Sequence, residues 1–217
     1  MVKNINKIIE TKREDGMEEN VMKKMDLEEE VESTLELEAV QKQIDEIKVQ
    51  MEALSKATPD NKLSMIVFSG DLDKVLASFI IATGAVAMGM EVVMFFTFWG
   101  TPVLRDKMKK VGGKDIMGKM FGTMLPKGTG AAKLSKMNMG GMGTVMMKNL
   151  MKKKNVASIE DMIEMAGELG VQIYVCEMSM DLMGFKREEF IDYPKLDFCG
   201  VAKFLEDAQN SKVQLFI

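Results

Sequence analysis

The N-terminal part of the chain has a helical pattern of hydrophobic positions. Six apolar residues follow one another there at alternating spacings of three and four: Leu37, Val40, Ile44, Ile47, Met51 and Leu54. These are the spacings of a and d positions in a heptad repeat, so we predict a coiled-coil helix over residues 27–57. Two interpretations are open, an oligomerisation arm or a helix that lies on its own domain. Residues 1–26 have many charges and no apolar periodicity, which predicts a loosely ordered N-terminus.

Short apolar runs that alternate with helical patterns occupy the chain from residue 62 onward. Strands are predicted at residues 63–68, 91–96, 171–176 and 212–217. Helices are predicted at residues 72–88, 158–169, 179–183 and 200–209, with another that begins at Thr101, an N-cap residue followed by Pro102. Apolar strands separated by helices form parallel sheets that are covered on both faces. We therefore predict one α/β domain over residues 62–217, a three-layer flavodoxin-like sandwich with a mainly parallel sheet.

The turns that follow the predicted strands are the places to look for chemistry, because such sheets bind ligands beyond the carboxyl ends of their strands. After the first strand comes the turn Ser69-Gly70-Asp71. It has neither the spacing of a Walker loop nor that of a GxGxxG loop, so it does not predict a nucleotide site. Asp71 is predicted to cap the helix that follows.

Charge is distributed unevenly along the chain. Residues 1–60 contain 9 Lys and Arg against 16 Asp and Glu, whereas residues 105–154 contain 13 Lys and Arg against only Asp106 and Asp115. The second region is also rich in Met and Gly, and residues 114–125 have an apolar helical face. We predict a basic helical insertion with three candidate roles, ranked as follows: a cover for the active site, an oligomer interface, and contact with an anionic membrane surface. It has no aromatic interleaving or recognition motif, which argues against nucleic-acid binding.

The composition excludes several classes of chemistry. The chain has no His, which rules out Ser-His, Cys-His and His-metal sites. Its 24 Met residues are spread over ordinary core positions, which favours flexible packing over a copper site. We predict no metal and no cofactor. Two Cys residues, no visible signal peptide and an apolar run at 75–99 that is interrupted by Gly84, Gly89 and Glu91 predict a cytoplasmic protein without a membrane span.

Cys176 is the residue whose position suggests reactivity. It ends the apolar run 171–175, and a predicted helix follows almost at once. A sulfur atom there lies near unpaired backbone N–H groups and the positive end of the helix dipole, and both stabilise the nucleophilic thiolate. From position alone, the alternative is a small buried apolar residue. Cys199 follows the loop at 193–197, and it is either a resolving thiol, if that loop folds over the site, or an incidental thiol.

Three segments resemble a known family: residues 174–184 (YVCEMSMDLMG), 69–77 (SGDLDKVLA) and 200–205 (GVAKFL). They are similar to segments of the DsrE/DsrF-like family, and above all of a longer subgroup often described as peroxiredoxin-like. The cysteine segment is the specific one. The resemblance spans residues 62–217.

The resemblance implies a three-layer α/β fold, homo-oligomers and a cysteine that holds sulfane sulfur as a persulfide. It also implies exchange of that sulfur with a small TusA-like carrier protein or a rhodanese. We carry over Cys176 as the sulfur acceptor. The residues predicted to support it are Glu177, Met178, Ser179, Ser69, Gly70, Asp71 and Cys199.

Two functional hypotheses follow. The first is a sulfur-trafficking protein, either a sulfurtransferase or a stoichiometric carrier, that holds a persulfide on Cys176. The second is a non-catalytic oligomeric scaffold in which Cys176 is inert and the basic insertion contacts a membrane surface. They differ in the reactivity of the Cys176 thiol.

Overall fold

The chain divides into two units, with the boundary between Thr58 and Pro59. A computed structural model describes residues 37, 39–54, 58–109, 111–112 and 116–217. In the first unit, helix α1 covers residues 39–54, and the six seam side chains are between 41% and 69% exposed. The predicted loose N-terminus, residues 1–26, and the start of the predicted helix lie outside the described residues. A role for α1 as an oligomerisation arm stays a prediction.

The second unit is built on a sheet of five parallel strands. They are β1 (Asp60–Val67), β2 (Glu91–Phe96), β3 (Gln172–Cys176), β4 (Leu196–Cys199) and β5 (Ser211–Phe216), in the spatial order β4-β3-β2-β1-β5. The prediction of a flavodoxin-like α/β fold with a parallel sheet is confirmed. The strand order places β3 and β4 side by side at one edge, with β2 between β3 and β1.

Six helices belong to the described part of this unit. They are α2 (Leu72–Ala87), α3 (Ile116–Met124), α4 (Met142–Lys153), α5 (Ile159–Glu168), α6 (Glu177–Met183) and α7 (Val201–Gln209). Short 3₁₀ segments lie at Phe98–Leu104, Thr129–Ala131, Met139–Gly141 and Arg187–Glu189. Helix α2 and strand β2 account for the long apolar run, as predicted. Among the described helices, none combines the length and the apolar character needed to cross a bilayer.

The two faces of the sheet carry cores of different size. Alternate residues of each strand point to opposite faces. On one face, residues such as Met65, Met94 and Ile173 join the main core with α2 and α5. The other face carries a smaller cluster with α7, in which the rings of Phe95 and Phe204 stack at 5.2 Å. The site residues on this second face are therefore covered mainly by one short helix.

Two local predictions were wrong. Residues 196–199 form β4, a four-residue edge strand too short and too exposed to show apolar periodicity. Residues 142–153 form α4, a helix of the basic insertion for which no bounds were predicted. Thr101 does not begin a helix, because the 3₁₀ turn starts after Thr97 and buries Thr101 completely. In that turn, packing of consecutive buried residues overrides the local capping signal.

Candidate functional site

Cys176 is the last residue of β3 and the N-cap of α6, with φ −67° and ψ 113°. Its side chain points to the same face as Tyr174, toward the cluster formed with α7. Only 3% of the residue is exposed. Helix α6 is seven residues long, so its dipole is short, and the Cys176 side chain makes no capping hydrogen bond to its first turn. The thiol is positioned by rigid backbone and sheltered from bulk solvent.

Cys199 is brought directly beside Cys176 by β4. The two residues are register partners in the parallel β3–β4 ladder, and each is the last residue of its strand. Neighbouring strands lie about 4.8 Å apart, and register partners project to the same face. Both sulfurs belong to the cluster under α7, with Cys176 buried and Cys199 half-buried. The sequence alone left this separation open because β4 was not predicted.

The environment of Cys199 disfavours its thiolate. Burial, together with the neighbouring Cys176, Glu177 and Asp197 groups, raises the pKa of Cys199 to about 11, and the positive charge of Lys203 only partly opposes this. At neutral pH, Cys199 is therefore a protonated thiol with low nucleophilicity.

Arg187 is not adjacent to Cys176 in the sequence, but it lies next to the site in the structure. Arg187 Nη2 donates a hydrogen bond to the carboxylate of Glu177, the residue after Cys176. Its guanidinium carbon lies 5.1 Å from the centre of the Phe198 ring. Gly184 ends α6 with φ 62°, and the chain then returns past the site. No local sequence signal identifies Arg187, since the contact depends on this reversal and on β4.

Ser179 connects the cysteine helix to the turn after β2. Its fully buried hydroxyl lies 2.9 Å from Thr97 Oγ1 and accepts a hydrogen bond from the Phe98 backbone N–H at 3.0 Å. Met178, the neighbouring residue, is 53% exposed and makes no comparable link. The contacts of Ser179 hold the start of α6 against the carboxyl end of β2.

Replacing Ser179 with alanine is expected to lower the free energy of unfolding by about 1–3 kcal/mol, because two buried polar groups lose their partner. Urea unfolding of Ser179→Ala beside the wild type measures the change. Adding Thr97→Val should recover part of the loss, since it removes one of the two orphaned groups. An unchanged midpoint for the single variant would show that these bonds do not hold α6.

The turn Ser69-Gly70-Asp71 lies at a separate place. Ser69 Oγ donates to Asp71 Oδ2 at 2.8 Å, and Lys74 Nζ lies 3.2 Å from the same oxygen. Asp71 occupies the N-cap position of α2, but its side chain makes no capping hydrogen bond. The predicted cap was therefore wrong in its mechanism, because Ser69 and Lys74 engage the carboxylate instead.

A groove of about 390 Å³ opens beside this turn. Gly70, Trp99 and Lys133 are among the residues that line it, whereas neither cysteine does. Strand β2 separates β1 from β3, so the structure does not bring the 69–71 turn into contact with Cys176. The groove is partly walled by the basic insertion, whose α3 also packs against α6. The insertion therefore lies over the carboxyl edge of the sheet.

Comparison with known proteins identifies the fold family. The model of the DsrE/DsrF/DrsH-like family matches residues 59–216. The chain belongs to this family. The resemblance seen in residues 174–184 is thus confirmed, and the family region coincides with the α/β unit.

The described residues contain no group of three or more His, Cys, Asp or Glu side chains placed to hold a metal ion.

Individual relatives match the same part of the chain. YrkE of Bacillus subtilis, an uncharacterized protein, is 46% identical over 156 residues, which are 72% of this chain and 96% of YrkE. The sulfur carrier protein DsrE2 of Allochromatium vinosum is 38% identical over 168 residues, covering 72% of this chain and 98% of DsrE2. Among solved structures, the ychN protein of E. coli covers 72% of this chain and 98% of its own, with a TM-score of 0.45 and 10% identity.

Proposed function

We propose that this protein carries sulfane sulfur as a persulfide on Cys176 and exchanges it with the thiol of a partner protein. The observation that carries the proposal is the position of Cys176 at the carboxyl end of β3, where α6 begins. Membership in the DsrE/DsrF/DrsH-like family and the similarity to a sulfur carrier protein support a role in sulfur relay. A small TusA-like carrier or a rhodanese is the class of partner that we propose, and the cytoplasm is the proposed compartment.

The chemistry needs only thiolates and sulfane sulfur. The Cys176 thiolate attacks the outer sulfur of a donor persulfide, a new S–S bond forms at Cys176, and the donor leaves as a thiolate. In the return step, a partner thiolate attacks the outer sulfur of the Cys176 persulfide, and Cys176 is released as a thiolate. No net oxidation occurs, so neither an oxidant nor a reductant is consumed.

Access to Cys176 sets a condition on this exchange. The residue is 3% exposed, so a donor reaches the sulfur along one narrow path or after the cover under α7 opens. The half-buried Cys199 and the exposed Arg187–Glu177 pair are neighbours of Cys176 in the structure. A sheltered persulfide is protected from stray thiols, which is what a carrier requires.

Sulfur loading is expected to depend on Cys176 and not on Cys199. Reduced protein is exposed to polysulfide, freed of small molecules and weighed intact by mass spectrometry. Wild type and Cys199→Ser should gain sulfur, because both keep the Cys176 thiol, whereas Cys176→Ser should gain none. Cys199→Ser is the matched control, since it removes the neighbouring thiol from the same cluster.

A scaffold protein with an inert Cys176 is the competing function, and the near-complete burial of Cys176 favours it. It is distinguished by the same experiment. Wild type without any adduct, or equal adducts in both variants, would reject the carrier proposal. In that case α1 and the basic insertion would be the candidate binding surfaces.

A further inference from the structure

The register of β3 and β4 places two thiols where a covalent link between them is geometrically accessible. Cys176 and Cys199 are direct partners in the ladder, on the same face of the sheet. A separation of about 4.8 Å between neighbouring strands falls within the Cα–Cα range that disulfides span, about 4.4–6.8 Å. Both residues end their strands, so each lies at the last rung of the β3–β4 ladder.

We propose that Cys199 resolves the Cys176 persulfide within the same chain, forming a Cys176–Cys199 disulfide and releasing hydrosulfide. This inference rests on the proposed persulfide function. It assigns a second activity to the protein, the reductive release of a carried sulfur atom when no partner has accepted it. While the disulfide persists, Cys176 has no free thiol and accepts no further sulfur.

The step balances without any further reagent. The Cys199 thiolate attacks Sγ of Cys176, the bond between that atom and the outer sulfur breaks, and the electron pair leaves with the outer sulfur as HS⁻. The sulfane sulfur is reduced, and the two cysteine sulfurs are oxidised to the disulfide. The proton that Cys199 loses balances the one that the ionised outer sulfur takes up as it leaves as HS⁻. A low-molecular-weight thiol reductant later returns the pair to two free thiols.

The groups around Cys199 make this step slow at neutral pH. They are Cys176 and Glu177 at the β3–α6 junction and Asp197 on β4, and Lys203 on α7 only partly opposes them. Burial and the nearby acidic groups hold the pKa of Cys199 at about 11, so its thiolate fraction rises roughly tenfold per pH unit below that value. A loaded persulfide therefore persists long enough at neutral pH to meet a partner.

The test follows loaded protein over time. Wild type and Cys199→Ser are loaded with polysulfide, desalted, and incubated near neutral pH. Intact mass reports the persulfide and the disulfide, and a sulfide assay reports HS⁻. Wild type should lose its persulfide over time, with matching disulfide and sulfide, while Cys199→Ser keeps its persulfide. Equal persistence in both proteins, without a disulfide in wild type, would overturn the proposal.

A charge variant tests whether the local field sets the rate. Asp197→Asn removes one of the groups that raise the pKa of Cys199, so decay should become several-fold faster at a given pH. Asp192→Asn is the matched control, because Asp192 is an exposed carboxylate paired with Lys109. Equal acceleration in both variants would contradict a role for the Cys199 environment.

Failure of the two proposals is distinguishable. Treatment of unloaded protein with diamide, an azo oxidant of dithiols, reports whether Cys176 and Cys199 pair at all, with peptide mapping of the linked residues. Absence of loading in both wild type and Cys199→Ser would overturn the persulfide function and the resolving step together, while diamide would still reveal the pairing. Loading of both proteins without a disulfide under either treatment would overturn the resolving step alone.

Discussion

Glu189→Ala is expected to lower the free energy of unfolding by about 3–5 kcal/mol, the loss typical of breaking a buried ion pair. Glu189 Oε2 lies 2.8 Å from Arg105 Nη2, and both side chains are only 2% exposed. Glu189 also accepts a hydrogen bond from the Lys186 backbone N–H at 3.0 Å. The variant therefore leaves a buried guanidinium without its counter-charge, and burying an uncompensated charge is costly.

The surroundings of Arg105 make this loss hard to relieve. Its Nε and Nη1 atoms find no hydrogen-bond partner among the described residues even with Glu189 present, and the guanidinium carbon lies 4.3 Å from the centre of the Phe185 ring. The pair joins the segment after β2 to the 3₁₀ turn at Arg187–Glu189, since Arg105 also forms an antiparallel bridge with Phe190. Loss of the pair should loosen the chain segment that carries Arg187 to the cysteine site.

Two further variants separate charge from packing in this prediction. Arg105→Met with Glu189→Leu removes both charges and fills the space, so most of the stability should return. Glu206→Ala breaks an exposed pair with Lys203 and should change the free energy of unfolding by less than about 1 kcal/mol. Urea unfolding provides all values. A loss for Glu189→Ala no larger than that for Glu206→Ala would mean that the buried pair contributes little.

Gly100→Ala is expected to destabilise the protein by about 3 kcal/mol, at the upper end of the range for overpacking. A Cβ atom at Gly100 would collide with the backbone carbonyl oxygen of Val67, at the end of β1. Two backbone hydrogen bonds hold the turn after β2 against the end of β1. Thr97 N–H donates to Val67 O at 3.1 Å, and Gly100 N–H donates to Phe68 O at 2.8 Å. The added Cβ is fixed by the backbone of residue 100, and the atom it meets is a backbone carbonyl oxygen, so neither can move aside without a backbone shift.

Gly84→Ala is the matched control for this substitution. Gly84 lies in α2 with open space around its Cα, so an added methyl group meets nothing within 4 Å. Alanine has the higher helix propensity, and the variant should gain about 0.5–1 kcal/mol. Thermal and urea unfolding of both variants measure the contrast. Similar changes in the free energy of unfolding for the two variants would show that the approach of Gly100 to Val67 is not tight.

Elements with a strong local signal were predicted closely. Strand β2, Glu91–Phe96, matches the predicted run at both ends, because all but one of its residues are buried and apolar. Helix α5 begins after Ser158, whose side chain accepts from the Asp161 N–H in a capping box. Such signals act over a few residues, so they are visible in the sequence.

The parts of the site that escaped prediction depend on long-range contacts. Arg105 and Glu189 are 84 positions apart and paired only because the chain returns along the sheet. Cys176 and Cys199 were both candidates, but their pairing needed β4, whose four residues carry no periodicity of their own. Arg187 reaches Glu177 by the same return of the chain.

The order of residues along the chain was therefore enough to establish the α/β class, the strand on which Cys176 lies and the family to which the chain belongs. Strand order and register were set by packing between distant segments, which no local pattern encodes. That packing placed Cys199 beside Cys176, kept the turn at 69–71 apart from it and buried the thiol under α7. Hydrophobic periodicity reports which face of an element is buried, whereas the identity of the neighbour depends on the whole fold.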